Sequence, residues 1–250
     1  MTQCNPLISN HMKTAFLTSV IVILASMAST AVAQNEEAAK MFDKSAVPET
    51  AEKIGGFVPE GWKIENDVKG DVNSDGVADH VLKLIEDKPS VEKDGTGVDR
   101  SRAMVIVFAE KDGSLSLATI ADSLLQCTAC GGAFYGAMDA PASVTIENGV
   151  IVVSQDHGSR WVTELTYRFR YDGETGKFML IGFDYSSRDR ANGDGASEST
   201  NYLTGKRITT TGKGKRTVTR NTVVAKKSYS IEEVDSEQFE EEATHRLGLD

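Results

Sequence analysis

Residues 161–171 alternate with a period of two: Trp161, Leu165, Tyr167, Phe169 and Tyr171 share one parity with Thr163, while Glu164, Thr166, Arg168 and Arg170 hold the other with Val162. Alternation of this kind puts one set on each face of a strand. Such a strand needs a covering layer over its apolar face and tolerates water on the other. Asp172-Gly173-Glu174-Thr175-Gly176 then supplies a hairpin loop, from which residues 177–185 pair back. The same logic recurs upstream. Residues 103–109 form a continuous apolar run, as expected of a strand covered on both faces; Lys111-Asp112-Gly113-Ser114 turns it and Leu115–Ala121 returns. Asn148-Gly149 marks a tight hairpin between Val144-Thr145-Ile146 and Val150-Ile151-Val152-Val153. An antiparallel meander is the simplest topology, so the expected fold is mainly β (α+β): one domain with short N- and C-terminal helices.

The flanks divide by composition. Residues 34–54 form an N-terminal helical segment, Ala- and Glu-rich from Asn35 to Met41 or Lys44 and ended by Pro48. The β-rich core spans 55–208. Within it, Pro59, Gly61 and Trp62 make a turn that docks one aromatic, and residues 86–102, dense in Asp, Lys, Gly and Pro, read as an exposed connection. Residues 209–250 hold the rest of a basic β-ribbon and an acidic helix. The ribbon, over 205–227, interleaves Lys206, Arg207, Lys213, Lys215, Arg216, Arg220, Lys226 and Lys227 with threonines and valines, either as a solvated surface or as a contact for an anionic one. Asp235 caps the helix, which runs to about Leu247, with Gln238 in the capping-box position and Val234 stapled to Phe239.

The N-terminus bears on compartment. Lys13 precedes an apolar run over 15–28 and an Ala31-Val32-Ala33 cleavage pattern, so 12–33 reads as a secretory signal and 1–11 as upstream residues. Interruption by Thr18, Ser19, Ser26 and Ser29 argues against a membrane span. Cys4 lacks a lipobox context. The expected location is periplasmic or extracellular, with no membrane-spanning segment after cleavage. Residues 1–33 carry Lys13 as their one charged side chain, so their removal moves the net charge from −10 to −11. Nucleic acid is thereby a poor partner, and an envelope or protein partner is left open.

One motif has the spacing of a cation site. Asp71, Asn73, Asp75, the Val77 carbonyl and Asp79 place oxygens around Gly76, which suits Ca²⁺ with its need for about 6–8 oxygens. The twelfth position, where an EF-hand carries a bidentate Glu, is Leu82, and residues 80–85 read as a strand rather than an exit helix. The D-x-N-x-D-G-x-x-D loop resembles the calcium loops of FG-GAP repeats in integrin-like propellers and of related bacterial surface modules. That resemblance implies calcium binding; with one copy in the chain it does not imply a propeller. The alternative is an Asx-rich turn whose side chains cap their own backbone.

Cys127-Thr128-Ala129-Cys130-Gly131-Gly132 is the second motif. An exported context favours a Cys127–Cys130 disulfide, which would stabilise by about 2 kcal/mol in the chain-entropy model. A thiol–disulfide active site is the sharper reading, opposed by glycines that disfavour the helix such chemistry uses. Zinc needs two further ligands, with His80, His157 and His245 the histidines left. Asp156, His157 and Ser159 are too close in sequence to converge as a nucleophilic triad and read as a polar turn. No sequence signature points to a glycosidase carboxylate pair.

In order, the calcium-type loop, the apolar strand, C-x-x-C-G-G, Arg160-Trp161, Phe169-Arg170-Tyr171, Phe178-x-Leu180-Ile181-Gly182 and Asn201-Tyr202-Leu203-Thr204-Gly205 resemble a group of uncharacterised exported bacterial proteins over about residues 60–208. The resemblance implies one domain and no particular activity. The leading expectation is an exported, non-enzymatic β-rich domain with a structural Ca²⁺ loop; the alternatives are a periplasmic thiol–disulfide protein and an envelope-binding module.

Overall fold

Twelve strands and one α-helix succeed one another along the computed structural model, which describes residues 41–136, 138–225 and 227–249. The expected signal at 12–33 and most of the expected helix from Asn35 lie outside the described residues. The strands are β1 (Thr50–Ala51), β2 (Trp62–Gly70), β3 (Asp79–Glu86), β4 (Arg102–Ala109), β5 (Leu115–Ala121), β6 (Ala142–Glu147), β7 (Val150–Gly158), β8 (Trp161–Asp172), β9 (Lys177–Asp189), β10 (Gly195–Asn201), β11 (Lys206–Lys213) and β12 (Arg216–Val223). The helix α1 is Ser236–Leu247. One sheet has the order β1-β5-β4-β3-β2, the other β12-β11-β10-β9-β8-β7-β6. The second is a pure antiparallel meander in chain order. No described helix is long and apolar enough to cross a membrane.

The main core packs Val81, Met104 and Ile106 of the first sheet with Ile151, Leu165, Tyr167, Phe169 and Phe183 of the second. The opposite face of the first sheet carries Leu82, Leu84, Val105 and Val107 under Phe42, Phe57 and Trp62. β4 is thus covered on both faces, which is why its sequence lacks polar alternation. Burial of each such side chain contributes roughly 1.5–3 kcal/mol. In β8 the expected parity holds from Thr163 to Phe169, but Trp161, beside the β7–β8 turn, is 43 % exposed and Val162 is buried in its place. Asn148 and Gly149 both adopt positive φ, 52° and 76°, the conformation a two-residue hairpin needs.

Differences from expectation cluster where polar residues are buried or parity slips. β2 carries a register shift between Ile64 and Asn66 that breaks its alternation. β10 reads Gly-Ala-Ser-Glu-Ser-Thr-Asn, and its buried positions are Ala196, Glu198 and Thr200; Glu198 is tolerated because Arg246 and Arg207 neutralise it. In the described part of the N-terminal segment, Lys44–Ala46 form a 3-10 turn capped by Asp43, and Phe42 packs against Trp62, ring centroids 4.8 Å apart. The connection at 86–102 is exposed in its middle, but Glu86, Arg100 and Arg102 at its ends are buried.

The C-terminal helix forms as expected. The Asp235 carboxylate accepts from Glu237 N (3.0 Å) and Gln238 N (3.1 Å), and Val234 and Phe239 are both buried in the main core. Gln238 does not complete a capping box: its amide donates to Glu242 at 3.2 Å. The box lies one turn earlier, where Ser230 and Glu233 bracket the short 3-10 turn Ile231–Glu233.

Candidate functional site

The loop at 71–79 connects β2 to β3, whose last ladder pair is Gly70 with Asp79. Its side chains cap its own backbone. Asp71 accepts from Ser74 N (2.6 Å) and Gly76 N (3.0 Å), and Asn73 Oδ1 accepts from Asp75 N (2.9 Å). Asp75 accepts from Val77 N (2.7 Å) and from the Asn73 amide (3.0 Å). Asp79 is fully buried and ties the loop inward, accepting from Val72 N at 3.0 Å and Ala109 N at 3.1 Å. Burial raises its pKa, Asp75's charge adds to that, and the two N–H groups oppose it.

The fit to a hard cation is therefore partial. Each carboxylate oxygen keeps a lone pair beyond the one its N–H partner uses. Asp79, however, which the spacing assigns to close the ring, points at the end of β4. Among the described residues no group of three or more His, Cys, Asp or Glu side chains is arranged to hold a metal ion.

The cysteines do come together: Cys127 and Cys130 are disulfide-bonded across a single 3-10 turn, Thr128–Gly131. Distant segments fix that turn. Thr128 N donates to Arg100 O (3.1 Å), Ala129 N to the Asp99 carboxylate (3.1 Å), and Arg100 N to the Thr128 hydroxyl (2.9 Å). The two glycines of C-x-x-C-G-G have separate reasons. A Cβ on Gly131 would meet the Tyr135 ring at 2.8 Å, and one on Gly132, whose φ is +70°, would meet Gly158 O at 2.7 Å. Removing both side chains lets the disulfide turn lie against the β7–β8 turn, where Phe134 N donates to Gly158 O at 2.9 Å. The expected polar turn is thus shorter than 156–161, since Asp156 and His157 belong to β7.

Cys127 and Cys130 line a cleft of about 370 Å³. Gln155, His157 and Leu165 of the second sheet face it, and the first turns of α1 with Glu237 and Glu240 form another wall. Its polar groups are held in place. Gln155 accepts from Gln126 N (2.6 Å) and donates to Leu124 O (2.9 Å). Arg102 makes a two-pronged pair with Glu65 (2.9 and 3.0 Å) and donates to Ala140 O (2.8 Å). His157 Nε2 meets Glu240 Oε2 at 2.9 Å, joining β7 to α1. This hydrogen bond raises the His157 pKa against the opposing effect of burial. Asp156 accepts from the Tyr135 hydroxyl at 2.6 Å. Burial, with that bond, pushes the phenol up to about 12. Asp156 is engaged by Tyr135 and His157 by Glu240, so the two are not paired with each other as a triad requires.

Comparison of the chain with protein-family models, curated proteins and solved structures finds no match. The site therefore stands on its own residues. Gln126, Gln155, Arg102 and Glu240 carry no motif, and each reaches the cleft from a different segment of the chain.

Proposed function

We propose that the chain is an exported thiol–disulfide protein whose centre is the Cys127–Cys130 pair. The observation that supports this is accessibility: Cys130 is exposed, Cys127 half-buried, and both border a cleft large enough for a peptide side chain. A partner thiolate attacks Cys130 Sγ, the Cys127–Cys130 bond breaks, and a mixed disulfide forms while Cys127 leaves as a thiolate. A second partner thiol then attacks the mixed disulfide and releases Cys130. The partner dithiol is oxidised to a disulfide, and its two electrons and two protons end on Cys127 and Cys130. His157 borders the same cleft and can supply the proton taken by Cys127.

Mass measurement of the native chain with and without dithiothreitol, followed by insulin reduction, tests this reading. The expected result is a gain of two hydrogens without denaturant and insulin reduction that Cys130→Ser abolishes. A disulfide that resists reduction until the chain is unfolded would sink it.

A second reading concerns the loop, where Asp71, Asn73, Asp75, the Val77 carbonyl and Asp79 would hold a structural Ca²⁺. It is favoured by the lone pairs left on Asp71, Asn73 and Asp75 within one turn of chain. Bound calcium would stabilise by about 2.7 kcal/mol at 100 times its dissociation constant. Thermal unfolding in EDTA and across a calcium titration checks it: a rise lost in Asp75→Ala supports the ion, and no rise leaves an Asx turn.

A further inference from the structure

The far edge of the seven-stranded sheet is built unlike the rest of the molecule. β11 and β12 pair over eight residues each, and every residue of β12 is exposed. Residues 206–223 contain six Lys and Arg and no acidic residue, in a chain with 37 Asp and Glu. Elsewhere cations are commonly matched: Lys44 with Asp122, Lys63 with Asp87, Arg168 with Asp184, Lys177 with Glu232. On the ribbon Arg207 pairs with Glu198, but Lys206, Lys213, Lys215, Arg216 and Arg220 have no ion-pair partner among the described residues.

Register concentrates these charges. Thr209 faces Arg220, Thr211 faces Val218 and Lys213 faces Arg216, and these pairs share the face that carries Arg207. Since Thr209 also pairs with Glu198 of β10, this is the face that α1 covers through Arg246 and Glu198. The helix ends at Leu247, and among the described residues nothing covers the β12 share of that face. Lys213 directly opposite Arg216 is a like-charge pair, which opposes folding. The free edge strand itself carries Arg216 and Arg220, and Lys213 of β11 adds a third cation to the same face.

We infer that this ribbon face docks on a bilayer surface carrying anionic headgroups. Charge complementarity gives the sign. An aliphatic side chain decides for lipid over a soluble polyanion, because Val218 stands exposed among the cations of this face, 50 %, where it can enter the headgroup layer. A strand of eight residues is about 26 Å long at roughly 3.3 Å per residue, enough to span several headgroups. Each cation near such a surface strengthens partition about fivefold.

The test is co-sedimentation of the full chain with vesicles of neutral phosphatidylcholine, with and without phosphatidylglycerol, over a salt series. Residues 1–33, with Lys13, are common to every variant, so the readout is the change that the ribbon substitutions make in the anionic increment and its salt dependence. The expected result is an increment that salt removes and that Lys213→Gln with Lys215→Gln and Arg216→Gln lowers roughly a hundredfold. If the triple variant fails to fold, Arg220→Gln alone should lower it about fivefold. Equal partition into both vesicles overturns the proposal, as does binding of inorganic polyphosphate without binding of vesicles. So does unchanged partition with increased self-association, which would leave the cations as guards of the free edge. None of these results depends on Cys127 or Cys130.

Discussion

The loops at 71–79 and 127–132 are both short, polar and glycine-bearing, but they differ in where their hydrogen bonds go. In the first, Asp71, Asn73 and Asp75 bond to backbone within five residues, and Asp79 alone reaches out, to Ala109. In the second, Arg100, Asp99 and the Gly158 backbone, all more than twenty residues away, hold the turn in place. A self-contained loop keeps its shape on any scaffold. A loop held by distant segments exists only when the sheets have formed, and it can therefore carry a cleft on one side.

The largest test of this contrast is Gly132→Ala. It combines a positive-φ extended backbone open essentially to glycine alone, about 1–3 kcal/mol, with overpacking against Gly158, about 1–3 kcal/mol, so a loss near 3 kcal/mol is expected in denaturant unfolding. An effect below about 1 kcal/mol would mean that the disulfide turn does not depend on its contact with β7. Asp79→Ala should follow at about 2–3 kcal/mol, because it strands the N–H groups of Val72 and Ala109. Asp71→Ala, which affects local bonds alone, should cost about 1 kcal/mol; equal losses at both positions would erase the distinction between inward and local bonding.

Opening the Cys127–Cys130 bond should lower stability by about 2 kcal/mol, read as a shift in the denaturant midpoint with the slope unchanged. The smallest effect is electrostatic. His157 has a folded pKa raised above 6.5, so the stabilisation from its Glu240 pair is fully present below that pH and is lost as pH rises through the folded value. The difference in melting temperature between the wild-type chain and His157→Gln should therefore shrink on going from pH 6 to pH 8. A difference that does not change with pH would show that the bond to α1 does not rely on the imidazolium.

Legibility followed the range of the interactions. The period-two run at 161–171, the Asn148-Gly149 hairpin and the Asp235 cap are decided by neighbours, and each was readable from a few residues. β10 was not, because its buried Glu198 is acceptable only once Arg246, 48 residues later, arrives beside it. β2 was hidden by the shift between Ile64 and Asn66. The cysteine pair was visible as a motif, but its cleft was not: Gln126, Gln155, Arg102 and Glu240 converge from segments whose separation no local pattern encodes.

By itself the sequence determined the strand-rich class, the hairpins, the helix with its cap, the short disulfide and the charge of the ribbon. All of these rest on backbone sterics, turn chemistry and solvation that act within about a dozen residues. The tertiary structure alone decided that β4 lies between two apolar layers, that Gly131 and Gly132 yield space to Tyr135 and Gly158, that His157 reaches Glu240, and that β12 is exposed along its length among the described residues. These outcomes depend on which surfaces meet when the sheets pack, since close packing and buried charge compensation are properties of the assembled chain.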